Sequence, residues 1–253
     1  MKAYSALYCT KRLNYSPAIK FLKYSVALNW ISIYRYLKTH SMKNIICCCF
    51  ITCCLLSCSV SKHHVADGWV SLFDGHSLNN WKVGDNAETF SADSGMIIVH
   101  GKTAHLFYDG PVMDHNFKNF EFKADVMTHK GTNSGIYIHT GYQQGGWPAK
   151  GYEVQVNNTH TDWIRTGSLY GIVNIKEVYV KDNEWFTMHI TVQGKRVIVK
   201  LNDRVVLDYI EPENVQRDKG DEQRVLSSGT FALQGHDPNS LTFFRNIMVK
   251  PLP

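Results

Sequence analysis

Cysteine is missing from every position after Cys58, glycine from every position before Gly68, and acidic residues from the first 58 positions. Without cysteine, the last 195 residues have no disulfide and no thiolate nucleophile, so burial alone must hold them together. Of the 27 Lys and Arg, 8 fall in the first 58 residues, while all 22 Asp and Glu fall later. The later part therefore carries 19 basic against 22 acidic residues, a net charge of −3, and the overall +5 belongs to the leading segment. A phosphate-tracking surface needs excess positive charge on the folded part, so nucleic acid is not an expected partner. Phosphate-binding loops, paired CxxC motifs, HExxH and GxSxG elbows are also missing. At 44% hydrophobic and 19% charged, the chain has the composition of a globular protein.

The leading segment reads as an export signal. Residues 42–58 run from Met42-Lys43-Asn44 through an apolar stretch, Ile45 to Leu56, to Ser57-Cys58. A basic start, about a dozen apolar residues and a small residue before the cut describe a secretory signal, too short to span a bilayer of about 20 residues. Leu55-Leu56-Ser57-Cys58 resembles the lipobox of bacterial lipoproteins, which implies lipidation of Cys58 and loss of the other cysteines with the leader. The alternative is cleavage nearby without lipid. Residues 1–41 precede Met42 and are read as an upstream mis-start or extended leader, and residues 59–67 as a tether. The expected location is the bacterial cell envelope, on the periplasmic or surface face of the outer membrane, with membrane contact only through the lipid.

From Gly68 to Pro253 the hydrophobic period is close to two, as in Phe120-Glu121-Phe122-Lys123-Ala124-Asp125-Val126. Ile136 to His139, Tyr152 to Val156 and Phe186 to Val192 alternate likewise. Arg196–Leu201 and Arg204–Leu207 flank Asn202-Asp203 as a hairpin, and Thr230 to Gln234 and Leu241 to Val249 close the chain. No stretch keeps a 3.6 period over three turns. Many short strands broken by Gly, Asn and Asp predict one all-β domain, an antiparallel β-sandwich of jelly-roll type.

The chemistry is sparse. On the strand Tyr152 to Val156, alternation puts Glu153, Gln155 and Asn157 on one face, either a solvent-facing row or the floor of a polar groove. Tyr137 and His139 form a second polar row, and Trp147-Pro148 lies between the two strands. Aromatic faces beside amides and a carboxylate suit a sugar, with its C–H faces and hydroxyls. A retaining glycosidase needs two carboxyl groups about 5 Å apart. This strand supplies one, since position 155 is Gln and 157 is Asn. His236 follows a strand beside Gly235, where it is either a surface loop residue or an imidazole held at a sheet end.

Several segments together resemble the 3-keto-disaccharide hydrolase domain family of exported bacterial proteins. They are Gly68-Trp69-Val70-Ser71-Leu72-Phe73-Asp74-Gly75 with Leu78 and Trp81, Asn133-Ser134-Gly135-Ile136, Gly151-Tyr152-Glu153-Val154-Gln155, Gly167-Ser168-Leu169-Tyr170-Gly171, Leu233-Gln234-Gly235-His236 and Phe244-Arg245-Asn246-Ile247. The resemblance covers residues 68–253 and implies a concanavalin A-like sandwich of the lectin and glucanase type, acting on glycosides oxidised at sugar carbon 3. It implies Glu153 and His236 as an acid–base pair. Asn133, Gln155, Tyr170, Gln234, Arg245 and Trp147 are then expected to bind the oxidised saccharide, as is His139, where the family more often carries Arg. No cofactor is certain; a divalent metal held by Glu153 and His236 is compatible with the donor set. Two other readings stand beside this one: a non-catalytic lectin-like module, and a two-carboxylate glucanase in which Asp162 or Glu177 joins Glu153.

Overall fold

The computed structural model describes residues 64–253. The signal of residues 42–58, the lipobox at Cys58 and the reading of residues 1–41 lie outside the described residues. The strand pattern begins earlier than expected, inside the stretch read as tether. Strand β1 (His64–Val65) pairs with β2 (Trp69–Ser71). Asp67 and Gly68 make the reversal between them with φ of 74° and 80°, a left-handed pair that suits glycine at the second position.

The remaining strands are β3 (Trp81–Val83), β4 (Phe90–Asp93), β5 (Met96–His100), β6 (Ala104–Tyr108), β7 (Phe120–Thr128), β8 (Ser134–Thr140) and β9 (Tyr152–Val156). They continue with β10 (Phe186–Gln193), β11 (Arg196–Leu201), β12 (Arg204–Ile210), β13 (Thr230–Gly235) and β14 (Leu241–Pro251). One sheet has nine strands, in the order β1-β2-β14-β7-β10-β11-β12, with β5 also on β14 and β4 on β5. The other has five, in the order β3-β6-β13-β8-β9. Among the described residues pairing is antiparallel throughout, so this domain is an all-β antiparallel sandwich, as expected.

In the nine-stranded sheet, alternation means what the sequence implies. Phe120, Phe122, Ala124 and Val126 point inward with no more than traces of exposure, as do Met188, Ile190 and Val192 of β10. Glu121, Lys123 and Asp125 face outward and are half-buried. Phe231 of β13 crosses from the other sheet and meets Phe117, Phe120 and Phe122 at ring-centroid distances of 4.7, 4.9 and 4.7 Å. Such aromatic contacts add to the area-dependent burial that replaces disulfides here.

The five-stranded sheet is buried on both faces, which alternation does not reveal. Every residue of β6, β8, β9 and β13 is buried. Ile136, Ile138, Val154 and Leu233 fill the space between the sheets, and the opposite face carries His105, Tyr137, Glu153, Gln155 and Gln234. A small apolar cluster of Phe107, Tyr137 and Ala232 lies on that outer face too. Long connections cover it. Residues 167–170 run along the free edge of β9, with Gly167 N donating to Gln155 O (2.9 Å), Gln155 N to Ser168 O (2.9 Å) and Tyr170 N to Glu153 O (3.0 Å).

Candidate functional site

The covered outer face of the small sheet encloses a pocket of about 410 Å³, within the range of small-molecule sites. Glu153 and Gln155 of β9 and Tyr137 of β8 line it, with Asn133 at the start of β8, Gln234 near the end of β13 and His236 just beyond that strand. The β8–β9 connection contributes Trp147, and the connection after β12 contributes Asp221 and Arg224.

Glu153 is the centre of the polar network. Its side chain is enclosed, and each carboxylate oxygen has a neutral donor: the Tyr137 hydroxyl to Oε2 at 3.0 Å, and Gln234 Nε2 to Oε1 at 2.9 Å. Gln234 Nε2 also reaches the Tyr137 oxygen at 3.3 Å. The Gln155 amide nitrogen, turned toward acceptors, lies 2.8 Å from Glu153 Oε1 and 3.1 Å from Ser134 O. Burial pushes the Glu153 carboxyl from the usual 4.5 up to about 7, only partly offset by the Tyr137 and Gln234 bonds. A carboxyl tuned near neutrality is populated both with and without its proton, as general acid–base chemistry requires. Gly135, paired with Gln155 and diagonal to Glu153 across the β8–β9 pair, leaves room for the carboxylate: a Cβ there would sit 2.9 Å from Glu153 Cγ.

His236 is fixed by its neighbour. Its Nδ1 lies 2.8 Å from Asp237 Oδ2, and Asp237 in turn accepts from Ser240 Oγ at 2.8 Å and from the Asn239 amide at 2.8 Å. Burial raises the Asp237 carboxyl, but these donors outweigh it and hold it below its usual value. Trp147, half-exposed at the rim, stacks obliquely on His236 (5.5 Å, 41°) and meets His105 edge-on (5.6 Å). His105 is buried, packs edge-on to Tyr137 at 5.2 Å, and is pushed down to about 4 by burial and by the nearby His236. It is a neutral ring that props both aromatics.

Of the expected site residues, Glu153, His236, Asn133, Gln155, Tyr170, Gln234 and Trp147 meet around this pocket. Two do not. His139 should share the face of Tyr137 by alternation, but it takes φ 54°, beside a register shift of β13 between Thr230 and Ala232. The ring turns into the core against Phe120 at 5.6 Å. Its Nδ1 accepts from the Ser227 amide (3.1 Å), leaving Nε2 to donate to Lys118 O (2.9 Å), and burial lowers it to about 4. His139 thus ties two connections together instead of binding at the pocket. Arg245 lies across the sandwich on the outer face of β14, 3.9 Å over the Trp185 ring and 3.6 Å from Asp125. Its motif neighbour Phe244 takes the inward position, so alternation sends Arg245 away from the pocket. Asn157, expected on the same face as Glu153, is spent on its own loop, donating to Asp162 O and Ile164 O at 2.9 and 2.8 Å.

The sequence reading missed Arg224, His105, Asp237 and the structural role of Tyr137. Arg224 donates to the Tyr170 carbonyl and pairs with Asp221 at 3.4 Å. Its charge draws the Glu153 carboxyl downward. The loop carrying it is held by Glu211, a buried carboxylate that accepts from the Tyr152 hydroxyl, the Leu226 amide (2.8 Å) and Lys195 (2.9 Å). Nothing periodic marks that loop, so only the fold could bring it to the pocket. As for a second carboxylate, Asp162 accepts from the Tyr170 hydroxyl at 3.3 Å and Glu177 is exposed, while Glu153 itself is bonded only to neutral donors.

A 3-keto-disaccharide hydrolase of Bacteroides thetaiotaomicron is 26% identical to this chain over 235 residues, covering 74% of it and 79% of the relative. Two solved structures from Parabacteroides distasonis ATCC 8503, each titled as a candidate glycosyl hydrolase, share the fold. The first has a TM-score of 0.63 at 21% identity, covering 74% of this chain and 95% of the other. The second has a TM-score of 0.57 at 24% identity, covering 73% and 99%. With its sandwich, its covered pocket and a family model matching residues 68–250, this chain belongs to the family described as the 3-keto-alpha-glucoside-1,2-lyase-like domain.

Proposed function

We propose that this domain cleaves glycosides oxidised at sugar carbon 3, by proton transfer and without a nucleophilic carboxylate. The observation that carries this reading is Glu153, a carboxyl raised to about 7 at the floor of a saccharide-sized pocket and bonded to neutral donors. A ketone at C3 acidifies the C2 proton. A base removes that proton, and the electrons pass into a C2–C3 enediolate. Expulsion of the C1 substituent then breaks the C1–O bond, while an acid protonates the leaving oxygen. The C3 ketone re-forms as the C1–C2 double bond appears, and water adding to this 3-keto-2-hydroxyglucal completes a net hydrolysis. Glu153 and His236 serve as the acid–base pair, with Asp237 holding the imidazole orientation. Gln155, Gln234, Asn133 and Tyr137 supply hydrogen bonds around the enediolate oxygens, and Trp147 offers an aromatic face to the ring.

The test is incubation with a 3-keto-glucoside and, separately, its unoxidised parent. Cleavage of the oxidised sugar alone is the expected result. Equal cleavage of both would favour a two-carboxylate glucanase. Cleavage of neither, with glycan binding intact, would favour the lectin-like module. Attachment to the cell envelope through lipidated Cys58 is a further part of this proposal and rests on the leader sequence.

A further inference from the structure

We propose a transition-metal site formed by His160, His236 and Asp237 at the side of the pocket, taking an ion of the zinc or cobalt(II) class. The three side chains come from two separate connections, residue 160 after β9 and residues 236–237 after β13. One ligand atom from each lies within 4.8 Å of the other two, and all three side chains are half-buried. The His160 and His236 rings meet edge-on at 5.4 Å and 66°.

The donor types suit a cation, and the ligand atoms lie close enough to converge on one ion. His236 Nδ1 and Asp237 Oδ2 are 2.8 Å apart. Two ligands at about 2.1 Å from one tetrahedral ion are about 3.4 Å apart, so binding would widen this hydrogen-bonded contact by about 0.6 Å. An ion would take the place of the proton now lying between them. Asp237 is already held through Ser240 and Asn239, so its carboxylate needs little reorganisation. His160 completes the set through Nε2. Its ring proton then moves to Nδ1, with loss of the 3.1 Å contact from the Asp162 amide. Two imidazoles and one carboxylate favour zinc, cobalt and nickel over magnesium and calcium, which prefer oxygen ligands. The site rests on this geometry and not on the reaction proposed above, but it bears on it. With an ion on Nδ1, the single proton of the neutral His236 ring moves to Nε2, which then donates where the free ring would accept.

The experiment uses the full chain, with its cysteines alkylated. Every cysteine lies at or before Cys58, so this removes thiolate ligands without touching residues 64–253. Metal-free protein is titrated with cobalt(II), followed by its visible absorption, and with zinc, followed by calorimetry. One equivalent should bind with a thiolate-free spectrum, and magnesium should not compete. Asp237→Asn and His160→Gln should each weaken zinc binding about 100-fold or more, at least the loss seen on removing an outer-shell partner. His115→Gln, an exposed histidine elsewhere, should change nothing. Circular dichroism verifies that each variant is folded, and His160→Gln serves if Asp237→Asn is not. Absence of a stoichiometric site, or binding unchanged in a folded His160→Gln or Asp237→Asn protein, overturns the proposal. Because the readout is metal binding, failure here leaves turnover of a 3-keto-glucoside as a separate result.

Discussion

Replacing Glu153 by Gln separates catalysis from stability in one variant. The side chain keeps its size, and its amide oxygen can still accept from Gln234 while its NH2 donates to the Tyr137 oxygen, but it no longer exchanges a proton. Loss of one positioned acid or base lowers turnover about 10²–10⁴-fold, and kcat on a 3-keto-glucoside reads this directly. The same structure predicts a stability effect of opposite kind. Glu153 rises from 4.5 to about 7 on folding, so between those values the folded state binds more protons than the unfolded. Wild-type stability therefore falls as pH rises through this window. At about 1.4 kcal/mol per unit the total is on the order of 3 kcal/mol. Gln cannot ionise and escapes that loss. Denaturant melts at pH 5 and pH 8 should show the variant gaining up to about 3 kcal/mol relative to wild type between the two. Parallel pH profiles for the two proteins would refute the buried, raised carboxyl. Equal kcat would remove Glu153 from the chemistry even if the stability shift appeared.

Gly135→Ala should force Glu153 from its seat, because the new methyl carbon lies 2.9 Å from Glu153 Cγ. Overpacking of this kind costs about 1–3 kcal/mol, and kcat should fall with the melting temperature. Glu211→Ala should cost about 2 kcal/mol or more by stranding the Tyr152 and Leu226 donors, and should loosen the loop that brings Arg224 to the pocket. Burial raises the Glu211 carboxyl, but its donors outweigh this and leave it below 4.5. Its contribution is therefore present above that pH and lost as pH falls through the folded value, so the variant should show a shallower acid denaturation. Cys58→Ala should abolish partitioning of bacterially expressed protein into detergent, whereas deletion of residues 1–41 should leave export unchanged; cell fractionation reads both.

The sequence by itself determined the fold class and most of the strands. From Phe120 onward a period of two marks β7, β10, β11 and β14, because one face of each meets the core and the other meets water. It also put Glu153 and Gln155 on one side of β9, since adjacent side chains of a strand must alternate. What alternation cannot express is which face of a sheet is later covered by loops. The polar row of β9 is as buried as its apolar row, and only the tertiary structure shows that connections from residues 141–151, 157–170 and 211–229 enclose it. Backbone irregularity is equally invisible in the pattern: the positive φ of His139 sends a ring expected beside Tyr137 into the core. Arg245 belongs to a motif, yet one position of strand phase places it on the far side of the sandwich. Glu153 lies 71 residues before Arg224 and 83 before His236, and their meeting depends on β13 lying between β6 and β8 with β9 on the far side of β8. Such long-range pairing depends on the packing of the whole core, so it has no local signature, whereas alternation is fixed residue by residue by the strand backbone.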